Sequence, residues 1–505
     1  MSRRLLRVAV PVAAVVLAGA LAAVAVVATS GDGTTPPTQQ ATTPATRKVP
    51  ERPGTVTVDV SHDLGPLSNP ADFQNQSGPA YPLGPKDFER VAALDPKVVR
   101  AWFKPDHYYD PETREFDFDY PTIDGTTDYD YLDQVAAQGT ILGNFDQCNQ
   151  KLMRLDDPAE CRWVLKAGLL HYKKRYPSLR YIELFNEPDK TWKPTSIEQP
   201  AVPLDDYYSW YQIGYDVVNE VNAELKPGVP LELGGPSSYT FNTSFLKGFL
   251  DRYRADTNPA KKLAFLSYHQ YKQRERPADV ANERDQVRSW LRERKLDENR
   301  PVFVTEYGVF PGPNTGTTFE ADLLTQAAGM ATIGRYYAYS GMDMYLHWVY
   351  DHLDNERKSM LVDEVDGDVY PYYNLVLMQR MLGPRLIPSE STILDEAGIG
   401  VSALATASDD RIAVLLTNYQ WTNGTDAHDV TLALRNLPPA LTGGEVSVER
   451  YLVDAVTSNR THDPATQGLQ KVEDYDAVLG RSPDLSLHLG VNAMSLVVIS
   501  RQAAS

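Results

Sequence analysis

The chain has 505 residues, and 67 Asp and Glu against 49 Lys and Arg give it a net charge of −18 at pH 7. So acidic a balance argues against nucleic acid or an anionic surface as the principal partner. With 42% hydrophobic and 23% charged residues the composition is globular, and its length allows roughly two to four domains, or fewer if a barrel of ~250 residues or more takes a large share. The 29 tyrosines and 7 tryptophans suit the apolar faces of sugar rings, although composition alone weighs little.

Residues 1–28 read as a targeting segment. Arg3, Arg4 and Arg7 precede an uncharged Ala- and Val-rich stretch at 8–28, and Val26-Val27-Ala28 offers a cleavage site. The stretch is 21 residues long, and about 20 apolar residues span a bilayer, so it serves equally as an uncleaved anchor. Either way the arginines stay on the cytoplasmic side and the remainder of the chain is exported. The expected location is extracytoplasmic, secreted or tethered to the outer face of the membrane. Residues 29–53 are Thr-, Pro- and Gln-rich with little to bury, which makes them a disordered linker. The two cysteines, Cys148 and Cys161, form an even pair in an oxidising compartment and are expected to be bridged. Two buried thiols are the alternative. No metal-ligand spacing appears, and no cofactor is expected.

From 54 to 383, short apolar runs alternate with amphipathic helical stretches, the pattern of a parallel α/β fold. The first strand is read at 56–60, with a polar loop over 61–78. Further strands are read at 98–102, 140–144, 181–185, 231–235, 263–269, 302–305 and 342–348. Helices are read at 87–94, 128–138, 160–176, 207–225, 284–295 and 323–339. Eight strands are the count for a closed (β/α)₈ TIM barrel. An open doubly wound sheet is the alternative, but no Gly-rich phosphate loop follows any strand. Over 384–505 short strand-like runs at 399–407, 411–419, 429–434, 445–452 and 494–500 predict a small antiparallel β-sandwich, which the segment near Val56 could join.

Two of the barrel strands run straight into a carboxylate: Tyr181-Ile-Glu-Leu-Phe-Asn-Glu-Pro-Asp189 and Pro301-Val-Phe-Val-Thr-Glu-Tyr-Gly308. Barrel chemistry sits where strands end, so Glu187 and Glu306, 119 residues apart, are placed to face each other across one cleft. Two facing carboxyl groups are the minimum equipment for cutting a glycosidic bond. Either glutamate alone would read as a solvated strand terminus. Asn186 can bond a sugar hydroxyl beside the reacting carbon. Arg100, near another strand end, can reach Glu306, and a nearby cation favours the ionised carboxylate that a nucleophile requires.

Asn186-Glu187-Pro188-Asp189, Gly234-Gly235-Pro236, Ser267-Tyr268-His269-Gln270-Tyr271 and Thr305-Glu306-Tyr307 fall in order on four successive strands. In this the chain resembles clan A glycoside hydrolases, most closely family 39, the β-xylosidase and α-L-iduronidase group, over about residues 54–500. The resemblance implies that Glu187 is the acid/base and Glu306 the nucleophile of a retaining glycosidase. It implies too that Asn186 contacts the hydroxyl next to the anomeric carbon, that His269 and Tyr271 line the floor, and that Trp348 is a stacking wall. Plain core packing is the other reading of His269 and Trp348. Phe185, where the family more often has Trp, and Tyr307-Gly308, where it has Trp-Asn, are expected to alter the sugar-facing shell.

The expected activity is cleavage of an extracellular oligo- or polysaccharide. The alternatives are an endo-acting clan A glycanase of another family and a non-catalytic carbohydrate-binding envelope protein that keeps the barrel. Intact Glu187 and Glu306 argue against the last.

Overall fold

A computed structural model of the chain describes residues 54–76, 78, 82–121, 125–145, 157–191, 201–271, 273–309, 323–351, 359–362, 365–421 and 424–502. The expected targeting segment, the linker and Cys148 lie outside the described residues. Among the described residues no helix is long and apolar enough to cross a membrane.

The order of elements is β1 (Gly54–Asp59), β2 (Phe73–Asn75), α1 (Pro85–Ala93), β3 (Val98–Phe103), α2 (Pro105–Tyr108) and the short hairpin β4 (Tyr109–Asp110) and β5 (Glu115–Phe116). Next come α3 (Asp128–Gln138), β6 (Thr140–Phe145), α4 (Pro158–Arg175), β7 (Leu179–Glu183) and α5 (Leu204–Leu225). After them come β8 (Glu232–Leu233), β9 (Gly235–Ser238), α6 (Thr243–Ala255), β10 (Leu266–Gln270) and α7 (Glu283–Glu293). The barrel ends with β11 (Val302–Tyr307), α8 (Leu323–Ser340), β12 (Met344–His347) and α9 (Pro371–Arg380). Local signals set several boundaries. Asp157 caps α4 ahead of Pro158, and Lys173, Lys174 and Arg175 close its last turn, where cations suit the helix dipole.

The parallel sheet runs β8-β7-β6-β3-β2-β12-β11-β10-β9. β8 and β9 are two halves of one strand broken at Gly234; the first half pairs with β7 and the second with β10, which closes an eight-position (β/α)₈ barrel. Gly234 is required there, because a Cβ would fall 2.4 Å from the Phe265 ring.

One strand assignment is corrected. The first barrel strand is β2, inside the stretch expected to be a loop, and β1 pairs instead with sandwich strands. The reason lies in burial. β1 buries Val56 and Val58 and leaves the alternating positions partly exposed, as a one-sided sandwich strand does. β2 is only three residues long and buries Gln74 and Asn75, polar side chains that give no apolar signal. The boundary expected at 54 therefore falls after β1, and the sandwich expected at 384–505 also draws in 54–59. Helices α6 and α9 were not anticipated either.

The sandwich consists of β13 (Arg385–Ile387), β14 (Ser389–Ser391), β15 (Gly400–Ala407), β16 (Arg411–Tyr419), β17 (His428–Arg435), β18 (Glu445–Val453), β19 (Gln470–Val478), β20 (Asp484–Leu489) and β21 (Met494–Arg501). They form a six-stranded sheet, β13-β15-β16-β21-β18-β19, and a four-stranded one, β14-β1-β17-β20. A buried cluster including Val56, Val58, Val414, Leu416, Leu432 and Val497 fills the space between them. The barrel's α8 fastens to this domain through Arg335 Nε to Ala403 O at 2.8 Å and Tyr339 OH to Ile387 O at 2.8 Å.

Inside the barrel, Val98, Leu142, Phe265, Phe303, Met344 and Leu346 form an apolar plug, with Phe73 and Tyr181 packed against it. Side chains two residues apart on a strand share a face. The next position on these strands therefore also points inward, and it carries Asn75, Arg100, Asn144, Glu183 and Thr305, all fully buried. The lumen thus changes from apolar to polar toward the strands' C-terminal ends, and that polar layer is the floor of the candidate site.

Candidate active site

Arg100 organises the floor. Its Nε lies 2.9 Å from Glu183 Oε2, its Nη1 2.6 Å from Glu306 Oε1, and its Nη2 donates to Asn186 Oδ1 at 3.0 Å. Burial opposes the guanidinium's charge, and the Glu183 and Glu306 carboxylates outweigh it, so its pKa is raised. Thr305 Oγ1 donates to the other Glu183 oxygen at 3.0 Å. Every oxygen of Glu183 therefore has a partner, as a buried charge demands.

Glu306 is the penultimate residue of β11 and is 4% exposed. Its second oxygen, Oε2, accepts from Tyr271 OH at 2.7 Å and lies 3.3 Å from His269 Nδ1. Glu187 is reached by a backbone in the left-handed region, φ 52°, and its N–H donates to Ser237 O at 3.0 Å. Such a conformation costs a non-glycine residue on the order of 1 kcal/mol and is held only where surroundings fix it. Glu187 Oε1 lies 2.9 Å from His269 Nδ1, and Oε2 accepts from Lys190 Nζ at 3.0 Å. Burial pushes the Glu187 carboxyl up to about 7 against the pull of the Lys190 ammonium.

His269, fully buried on β10, stands between the two glutamates, with Ser237 Oγ 3.2 Å from its Nε2. Burial pushes its pKa down to about 4, so the ring is neutral at pH 7. One oxygen each of Glu187 and Glu306, together with a His269 ring nitrogen, lie within 4.8 Å of one another. The same three donors could crowd a cation, but Lys190 and Arg100 already occupy an oxygen of each carboxylate.

The structure therefore brings Glu187, Glu306, Asn186, Arg100, His269 and Tyr271 together. Trp348 is 8% exposed and packs in one cluster with Tyr271, Val349 and the partly exposed Trp102, forming an aromatic wall beside Glu306's partner Tyr271. Core packing against backbone does not describe His269, whose contacts are side chains of the site. Cys161 is buried on α4, and its expected partner Cys148 lies outside the described residues.

Two expectations fail. Phe185 does not face a sugar: it is 5% exposed and stacks on Trp210 of α5 at 4.6 Å. Tyr307 is fully buried, with its ring 5.7 Å from Tyr337 of α8 and its OH 3.3 Å from His347 Nε2. Both replace residues in the strand–helix interface, so neither changes the sugar-facing surface. Residues overlooked in the sequence are Glu183, Lys190, Ser237 and Trp102. Glu183 carried a signal, a charge inside the apolar run 181–185, since a carboxylate on a doubly buried strand must be paired. Lys190 carried none.

Neither a protein-family model nor a curated protein matches this sequence. Solved structures do. A glucosidase from Croceicoccus marinus aligns at TM-score 0.63 and 18% identity, over 90% of this chain and 100% of that one. A monomeric β-xylosidase from Caulobacter crescentus CB15 aligns at 0.66 and 13%, over 89% and 100%. The GH39 enzyme from Xanthomonas axonopodis pv. citri aligns at 0.66 and 13%, over 90% and 98%. Over about nine-tenths of its length the chain therefore shares its fold with these glycosidases, a GH39 enzyme among them.

Proposed function

We propose that the protein is a retaining glycoside hydrolase acting on an extracellular oligo- or polysaccharide, with Glu187 as acid/base and Glu306 as nucleophile. One observation carries this reading: carboxyl oxygens of the two glutamates bracket a single histidine nitrogen and approach within 4.8 Å. Retaining enzymes separate their carboxyl groups by about 5–5.5 Å and inverting ones by ~6.5–9.5 Å, to admit a water. In the first step Glu306 Oε attacks the anomeric carbon, the bond to the leaving oxygen breaks, and that oxygen takes the proton of Glu187. In the second, Glu187 removes a proton from water, whose oxygen takes the anomeric carbon from Glu306. A carboxyl with a pKa of about 7 suits both roles, since it is part acid and part base near neutrality. Tyr271 and Arg100 orient the two oxygens of Glu306, and Asn186, held by Arg100, presents its amide to the sugar.

The glucosidase and β-xylosidase of like fold make hexosides and pentosides the first substrates to try. A panel of aryl pentosides, hexosides and uronides should show turnover with retained anomeric configuration. Replacing Glu306 by glutamine should abolish it and replacing Glu187 by glutamine should slow it, with folding intact; full activity in both variants would sink the assignment. Export through residues 1–28, by cleavage or as a tether, and a Cys148–Cys161 bridge belong to the same reading. Thiol titration of the unfolded chain with and without reductant checks the bridge.

A further inference from the structure

We propose that Lys190 is a positioning residue: its ammonium holds Glu187 as the carboxylate and must leave Oε2 before Glu187 can give up a proton from that oxygen. The inference rests on the proposed function. An ammonium has only protons to offer, so Glu187 Oε2, 3.0 Å from Lys190 Nζ, is an acceptor in the observed arrangement. The other oxygen, Oε1, is turned to His269 Nδ1 at 2.9 Å. A proton placed there points at the neutral imidazole. Neither oxygen is free to serve a glycosidic oxygen as the site stands.

Lys190 does not depend on the carboxylate alone. Its Nζ already lies 3.9 Å from the centroid of the Tyr239 ring, a cation contact that requires no carboxylate and can hold the ammonium once it shifts off Oε2. Its side chain is 23% exposed and flexible, unlike the fully buried Arg100. The backbone around it is pinned. Asp189 accepts from Tyr239 N and from Asn242 Nδ2, both at 2.7 Å, which ties the loop bearing Glu187 to the one bearing Tyr239. Movement is thereby confined to the lysine side chain.

The charged and titratable groups facing Glu187 are Asp189 and Lys190 from its own loop, Tyr239 after β9, His269 from β10, Arg100 from β3 and, across the histidine, Glu306 from β11. Lys190 and Arg100 favour the anion and Asp189 opposes it, and of these three the lysine is the one that touches the carboxyl. Removing Lys190 should favour the proton donor of the first step and leave less of Glu187 ionised to act as base in the second.

The test uses the full chain with Lys190→Gln, Lys190→Met and Lys190→Arg. On an aryl glycoside the neutral variants should move the alkaline limb of kcat/KM upward by about one pH unit, the low end of the effect of an adjacent opposite charge, while Lys190→Arg stays near the parent. A second readout needs no turnover. The pH at which the effect of Glu187→Gln on denaturation midpoints levels off reports the Glu187 proton in the folded protein, and it should rise by a similar amount when measured in the Lys190→Gln background. An unmoved alkaline limb, or an unmoved levelling-off pH, overturns the proposal. A chain that hydrolyses no glycoside while the levelling-off pH still moves would overturn the proposed function and leave the lysine contact standing.

Discussion

Glu187→Gln should make the protein more stable, and only at the right pH. Glutamine has the size of the protonated acid without its charge. Burial raises the Glu187 carboxyl from 4.5 to about 7, so the native state binds this proton more tightly than the unfolded chain. That difference fixes the sign. Below about pH 4.5 both states are protonated and there is no penalty; between about 4.5 and 7 the native state loses ground as pH rises; above about 7 the full cost is present. A gap of about 2.5 pH units at ~1.4 kcal/mol each comes to roughly 3 kcal/mol. Denaturant midpoints followed by tryptophan fluorescence should coincide for the parent and Glu187→Gln near pH 4, and should favour the variant by up to that amount near pH 8. Taking the difference between the two proteins cancels the titrating groups that do not touch residue 187. The same variant should lose about 10²–10⁴ in turnover on glycosides with poor leaving groups. A difference in midpoint that stays flat from about pH 4 to about pH 8 would refute the argument, because it would mean that this carboxyl pays no desolvation cost in the cleft.

Three further outcomes are expected. Arg100→Met strands Glu183 and Glu306 in the lumen without their shared cation and should cost about 3–5 kcal/mol of stability, measured by equilibrium denaturation. Tyr271→Phe removes one hydrogen bond from Glu306 Oε2; a bond to a charged group is worth about 1.5–3 kcal/mol of stability, so the denaturation midpoint should drop accordingly and kcat should fall about tenfold or more. Phe185→Trp enlarges a ring already stacked on Trp210, and overpacking of this kind costs about 1–3 kcal/mol. Its relative activities across a glycoside panel should stay those of the parent, since residue 185 faces α5.

Much of the architecture was legible because barrel strands are apolar on both sides and end abruptly at polar residues. That pattern located β3, β6, β7, β10, β11 and β12 to within a few positions, and placed Glu187 and Glu306 at strand ends. It failed at β2, where Phe73-Gln74-Asn75 is too short and too polar to register, and it misassigned β1, whose alternating valines are the mark of a one-sided sheet. At the site, residues next to the motif were readable as neighbours, but not which way they face. Phe185 and Tyr307 sit beside Asn186 and Glu306 in sequence and on the opposite side of the sheet in space.

The order of residues along the chain determined the alternation of strands and helices, the two strand-end glutamates and the amide beside one of them, because these depend on local period and spacing. Arg100 was already within expected reach of Glu306; only the folded barrel decided that it also joins Glu183 and Asn186, that a neutral His269 stands between the two carboxyls, and that Lys190 rests on Glu187. Those contacts join residues 37 or more positions apart, except for the lysine, whose approach depends on the left-handed turn at Glu187 that Ser237 holds from another strand. The charge state of each group follows from burial, a property of the assembled molecule that no short stretch of sequence possesses.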